Sequence, residues 1–190
     1  MGRARSHEFM ECVSTIMNAI CENERLVRLL TPDEKLEGLS ETEQEKVIKK
    51  AKQYLPYDYL LPYELVTTTL TERERFLGFE VSATYDEKQK VYKDMTIDFF
   101  VVCHQEKIKY KDPDMKGYYR RWYDLVVCEL DEMFCGDDKN AININGIGVG
   151  KMKLVSNEPY FVSYAREIPY KGRTLTFSTQ NWYNGRKYGR

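Results

Sequence analysis

Two histidines in 190 residues, five cysteines without a CxxC spacing, no long apolar run and no excess of charge of either sign define what this chain lacks. With only His7 and His104, acid/base chemistry by histidine has few places to live. No Ser/His/Asp or Cys/His arrangement can be singled out, and the sequence is read as a protein without catalytic activity. The cysteines (Cys12, Cys21, Cys103, Cys128 and Cys135) are odd in number and suit the reduced thiols of a cytosol better than a disulfide framework. No stretch approaches the roughly 18 apolar residues of a membrane span. Glu8 and Glu11 interrupt what would have to be the apolar part of a signal peptide, so the expected product is soluble and intracellular. The 29 basic and 30 acidic residues leave a formal net charge of -1. That gives no general attraction to nucleic acid or anionic membranes, and any DNA contact has to be local.

What is abundant is aromatic: 15 Tyr, 8 Phe and 2 Trp, residues favoured where surfaces become buried against other chains, which makes an obligate assembly plausible. The length fits one domain, 1–190. The clearest strand is 94–108, in which Met95, Ile97, Phe99, Val101 and Cys103 form an apolar row and Thr96, Asp98, Phe100, Val102 and His104 a mixed one. The apolar row predicts a core face packed by a helix, and the mixed row a face at least half covered.

Upstream, Ser6 caps a helix whose Phe9, Val13, Ile16 and Ile20 recur at helical spacing, followed by a bend near Asn23 and a second piece through Leu26, Val27, Leu29 and Leu30. The capping-box pattern Ser40-Glu41-Thr42-Glu43 starts a charged helix, read as either a solvated helix or a mobile insertion. The Pro/Tyr-rich residues 56–64 predict an extended connector, so that 31–63 forms an insertion. Residues 64–71 predict a short strand, and 76–85 a strand that makes a hairpin with 94–108 through an exposed tip at 86–92. Asp112-Pro113-Asp114 predicts a helix of about 23 residues ending near Cys135, with Trp122 and Val126 against the apolar row. Short strands follow at 141–145, 152–155, 160–164 and 173–179, and 181–190 is a disordered or interacting arm. The fold expected is α+β: an antiparallel sheet packed by a long helix and an N-terminal helix.

Three chemical constellations have bland readings that outweigh them. Gly146-Ile147-Gly148-Val149-Gly150 leads into a strand-like stretch rather than a helix, so it predicts a turn and no phosphate loop. Cys103 and His104 point to opposite faces, and Cys128 and Cys135 share a helical face as small core residues; neither pair predicts a metal. A metal-dependent nuclease acting on DNA needs Glu80, Asp98 and the Gln105-Glu106-Lys107 element to converge. On an unbroken strand, Asp98 and the pair Gln105 and Lys107 face opposite sides, so this remains the alternative. No cofactor and no metal are expected.

The order of these features, with Glu24-Arg25-Leu26-Val27-Arg28-Leu29-Leu30, the connector, the hairpin, the long helix, Gly146-Ile147-Gly148 and Gly172-Arg173-Thr174-Leu175-Thr176-Phe177, resembles the neck proteins of tailed bacteriophages, most closely the tail-completion or tail-terminator type. The resemblance implies a structural virion protein, made in the host cytoplasm. It implies a ring-forming subunit, commonly a hexamer, that ends the tail tube and meets the head connector or adaptor. DNA would pass through the channel without specific binding, and no membrane is involved. Contact surfaces are then expected at Tyr57 and Tyr59, at the hairpin tip Asp86, Glu87, Lys88, Gln89 and Lys90, at Phe100 and Val102 on the mixed row, and at Trp182 and Tyr183. Asp86, Glu87, Asp137 and Asp138 are candidate channel-lining acids. A host binding module is a third, blander option.

Overall fold

The computed structural model describes residues 6–32, 35–61, 75–86, 91–111, 119–135, 152–161 and 170–179. The helical spacing near the start becomes α1 (Ser6–Glu22), with Ser6 as its first helical residue and Cys12, Ile16 and Ile20 fully buried. Asn23 breaks the helix and starts α2 (Glu24–Leu30), its side-chain oxygen accepting the Leu26 N–H at 2.9 Å. Thr31, buried, donates its hydroxyl to the Val27 carbonyl at 2.7 Å, and Pro32 prevents continuation. The capping box forms as expected: Glu43 accepts from both the backbone N–H and the hydroxyl of Ser40, at 3.0 and 2.6 Å.

The helix it starts, α3 (Glu41–Asp58), is longer than the sequence predicts. Pro56 sits in its last turn, where the missing N–H forfeits one bond to the preceding turn, and the Tyr59 N–H still closes on the Leu55 carbonyl at 3.0 Å. Residues 56–58, expected to be extended, are therefore helical. Ile48, Ala51 and Leu55 bury the charged helix against the main core.

After β1 (Leu60–Leu61) come β2 (Arg75–Asp86) and β3 (Val91–His104), whose antiparallel register from Arg75–Cys103 to Asp86–Val91 confirms the hairpin. The strand predicted over 94–108 ends at His104. There the Nδ1 atom accepts the Glu106 N–H at 3.4 Å and turns the chain into a 3-10 turn, Gln105–Lys107. A second departure follows. Instead of a helix from 112, the chain makes β4 (Lys109–Lys111) and β5 (Tyr119–Arg121) as a two-stranded antiparallel hairpin, and α4 spans only Trp122–Cys135, 14 residues. The Trp122 N–H closes on the Ile108 carbonyl at 2.7 Å, so the same contact ends the hairpin and begins the helix.

Two pieces expected at 152–155 and 160–164 are one strand, β6 (Lys153–Phe161), and the last is β7 (Tyr170–Thr179). Sheet order is β1-β2-β3-β7-β6, antiparallel except for β1. As a strand with a β7 partner on one side, β6 tolerates Pro159 and an irregularity between Leu154 and Ser156 that leaves Val155 59% exposed. The predicted strands at 64–71 and 141–145, the glycine turn and the C-terminal arm lie outside the described residues.

All four helices gather on the odd face of β3. Met95, Ile97, Phe99, Val101 and Cys103 are fully buried there with Trp122 and Val126, and Phe99 meets Phe134 at 5.2 Å and Phe177 at 5.8 Å between ring centroids. No described helix is long and apolar enough to cross a membrane.

Candidate functional site

The other face of the sheet is built row by row from the strand registers. Going along β3, the rows across β2, β3, β7 and β6 are Ser82, Thr96, Ser178 and Lys153, then Glu80, Asp98, Thr176 and Ser156. These are followed by Gly78, Phe100, Thr174 and Glu158, and finally by Phe76, Val102, Gly172 and Tyr160. The face grades from hydroxyls through carboxylates to aromatics. Its polar half is knitted together: Ser82 and Thr96 share a hydrogen bond of 2.6 Å, and Thr176 donates to Asp98 at 2.5 Å. Its apolar half is a second small core of Phe76, Phe100, Val102 and Tyr170, with the Phe100 ring 5.7 Å from that of Tyr160.

This corrects one expectation. Phe100 and Val102, predicted to await a neighbouring subunit, are 9% and 0% exposed in the single chain. Their covering comes from within the chain. Gly172 helps: a Cβ there would overlap the Val101 carbonyl oxygen, so the missing side chain lets β7 close on β3 beside Val102.

Of the remaining predicted contact residues, the described ones do not form one patch. Asp86 ends β2 opposite Val91, at the far end of the hairpin. Tyr59, half-buried, caps α3 and accepts the Leu77 N–H on its carbonyl at 2.8 Å, nine residues from Asp86, roughly 30 Å along the strand. Tyr57 falls in the last turn of α3. Glu87, Lys88, Gln89, Lys90, Trp182 and Tyr183, with Asp137 and Asp138, lie outside the described residues.

For nuclease chemistry, the structure brings two of the candidates together and holds the others apart. Glu80 and Asp98 are opposite one another in register. Lys107, in contrast, sits on the 3-10 turn, its carbonyl accepting from Arg75, which pairs with Cys103. Five residues of extended strand separate that level from Asp98, roughly 17 Å, far more than one metal's coordination sphere. Distance, and not the parity of an unbroken strand, separates them. Among the described residues no three His, Cys, Asp or Glu side chains converge.

The five cysteines are thiols. Burial pushes the Cys12 thiol up to about 12, and its Sγ lies 3.4 Å from the Met95 sulfur. Cys128, expected as a core residue, is exposed, because the inward face of α4 is made by Trp122, Leu125, Val126, Glu129, Leu130 and Met133.

Two buried charges were illegible in the sequence. Arg75, 4% exposed, lies over the rings of Tyr110 and Trp122 at 5.4 and 5.8 Å and donates to the Lys107 carbonyl at 3.0 Å. Glu129, 7% exposed, pairs with Arg25 at 3.0 Å and ties α4 to α2. The Trp122 indole N–H adds a bond of 2.6 Å to the Leu29 carbonyl. No local pattern marks Arg75, since an arginine in a charged stretch reads as solvated.

On this face two hydroxyls bond each other, Ser82 and Thr96, and one carboxylate, that of Asp98, accepts from Thr176. Comparisons with curated proteins and with solved structures return no match. A family model does match, over residues 23–179, from the residue that caps α2 to the last residue of β7. That span takes in every strand and every helix but α1, and the chain belongs to the YomW family, a phage-related family of Bacillus prophages.

Proposed function

We propose that the protein is a structural component of the phage neck, forming an oligomeric ring, of six subunits by the expected symmetry, that ends the tail tube and joins it to the head connector. The observation that carries this reading is membership of a phage-related family across the whole sheet. The shape of the β2–β3 hairpin supports it. Among the described residues, β2 and β3 stay paired to Asp86–Val91, about 13 Å along the strand from the β3–β7 pair Met95–Thr179. A hairpin of that length is the kind of element that reaches an adjacent protomer in a heterologous ring. The test is light scattering and negative-stain imaging of the purified chain, alone and with tail-tube protein, and mass spectrometry of particles from an induced prophage. Rings, loss of rings when residues 87–90 are replaced by a two-glycine turn, and presence of the chain in particles are expected. A chain that stays monomeric in both mixtures and is missing from particles overturns the reading.

The second reading, a metal-dependent nuclease, is favoured by one observation, the Glu80–Asp98 pairing. Magnesium-dependent cleavage of duplex DNA, lost in Asp98→Ala, is what it requires.

A further inference from the structure

Two helix faces carry opposite charge at the same spacing. On α3, Lys46, Lys49 and Lys50 are all exposed and, at about 3.6 residues per turn, share about 100° of the helix circumference. Thr42 and Gln53 on that face are uncharged. On α4 the same spacing gives Cys128, Asp131 and Glu132, with Asp124 and Cys135 in the same sector. Desolvation first, and then the Asp124, Glu132 and Asp131 carboxylates, push the Cys128 thiol up, which places these acids around one point. Asp124 is taken by Arg121 at 2.6 Å. Among the described residues, Asp131, Glu132 and the lysines of α3 are in no ion pair. Like charges one turn apart, as at Lys46 and Lys50, weaken a helix slightly, so local folding gains nothing from the arrangement.

The places of the two helices give this match a direction. α2 packs against both and lies between them in the helix layer. α3 reaches β1, at one end of the sheet order, and α4 reaches β7 and β6, at the other. Each charged face is the side of its helix turned away from the core, since Ile48 and Leu55 are buried on the other side of α3 and Val126 and Leu130 on the other side of α4. Cation and anion therefore sit on opposite flanks of the chain, where they do not pair with each other and are placed to pair between successive copies.

We propose that the Lys46, Lys49 and Lys50 face of one copy docks on the Asp131 and Glu132 face of the next, a head-to-tail contact between identical chains. A patch that meets a different patch on an identical partner is heterologous, and its repetition closes into a ring or runs on as a filament. The proposal rests on the ring reading and supplies an interface for it. Exposed ion pairs hold little by themselves, so their part is to set direction and register and to exclude the like-charged approaches of α3 to α3 and α4 to α4. Val155, 59% exposed on β6, and the exposed Cys128 add apolar surface on the acidic flank. Duplex DNA or an acidic protein would satisfy the lysines and leave the acids without a partner. A second copy answers both faces at once.

Charge reversal in the full chain, read by sedimentation velocity and negative-stain imaging, tests this. Lys46→Glu with Lys49→Glu and Lys50→Glu makes both faces acidic, and Asp131→Lys with Glu132→Lys makes both basic. Each set alone should lose the rings. An equimolar mixture of the two should regain them with the copies alternating, and so should one chain that carries both sets. Rings of the parent should dissociate between about 0.1 and about 1 M NaCl, as the screening length shrinks from about 10 to about 3 Å. The neutral set Lys46→Gln with Lys49→Gln and Lys50→Gln, which adds no acid to the helix, should lose part of the rings, and far-UV circular dichroism should show every variant folded. Rings that survive in both reversed sets overturn this interface and leave the ring reading standing. So does loss in both folded sets without recovery in the mixture or in the chain that carries both. A parent that is monomeric throughout overturns the interface and the ring reading together. A reversed lysine set that keeps its rings but no longer binds tail-tube protein assigns that face to the tail tube and also overturns the proposal.

Discussion

The two faces of β3 are made by the same fourteen residues and behave as different materials. On the odd face, five consecutive inward positions are fully buried beneath four helices, and Phe99 sits between the rings of Phe79, Phe134 and Phe177. On the even face, the rows grade from polar to apolar along the strand, and burial is reached where Phe76, Tyr160 and Tyr170 gather around Phe100 and Val102. Periodicity dictates both faces equally, but it dictates only which side a residue points to. What lies over that side is decided by segments far away in sequence, and there the faces part company.

The contrast can be broken most forcefully at its centre. Phe99→Ala is expected to cost about 4 kcal/mol, as for a fully buried aromatic whose neighbours cannot collapse into the space. Phe100→Ala, one residue on and on the smaller cluster, is expected to cost about 3 kcal/mol. Both costs, read from urea denaturation, should be independent of protein concentration, because both rings are buried within one chain. A cost for Phe100→Ala that appears only at concentrations where the protein associates would restore a subunit contact at this face. Gly172→Ala should come next, about 2 kcal/mol, from pressing a methyl group against the Val101 carbonyl and loosening the β3–β7 ladder. Amide exchange on β7 measures it directly. Thr176→Val removes the hydroxyl that Asp98 accepts from and is expected to cost about 1 kcal/mol at pH 7, because the pair is only half-buried and water compensates part of the loss.

The smallest change is expected away from both faces. The hydroxyl of Ser40, and then its backbone N–H, hold the Glu43 carboxyl below its ordinary value of 4.5. A lowered folded-state value means that the cap contributes fully above pH 4.5 and is lost as pH falls through the folded value. Parent and Glu43→Gln should therefore differ slightly in denaturation midpoint at pH 7 and converge in acid, and a difference that grows in acid would contradict the capping geometry.

Much of the scaffold was legible because it rests on local rules. The α1 stripe, the break at Asn23, the Ser40 box and the β2–β3 hairpin each follow from a few adjacent residues. At Asp112-Pro113-Asp114 the helix-start chemistry is strong, yet residues 119–121 pair with 109–111 and postpone the helix to Trp122. Pro56 reads as a breaker, yet it stands in the last turn, where there is little left to break. The strands predicted at 152–155 and 160–164 leave Pro159 between them, yet β6 runs through it opposite Arg173, as a strand with β7 on one side allows. At residues 119–121 and at Pro159, long-range pairing set the outcome. The candidate surface was less legible still. The graded rows need the β7 and β6 registers, and Arg75 needs the rings of Tyr110 and Trp122, which lie 35 or more residues away. Lys109 and Arg121 look like solvated strand-end and helix residues until the hairpin places them face to face.

The strand order has a consequence for how the chain comes to be made. The β2–β3 hairpin can close as soon as His104 has left the ribosome, but the second partner of β3 is β7, and its last residue, Thr179, is synthesised 75 residues later. Throughout that interval β3 carries an unclaimed edge from Met95 to His104, with five apolar side chains on one side and unpaired amides along its length. At roughly 5–20 residues per second, the exposure lasts several seconds. The closing step is then the insertion of the last strand between β3 and β6, a contact of high sequence separation. Gly172 stands near one end of that seam, opposite Val102, where the final strand must slide past the Val101 carbonyl, and it is there that synthesis, folding and the escape from aggregation meet in one peptide unit.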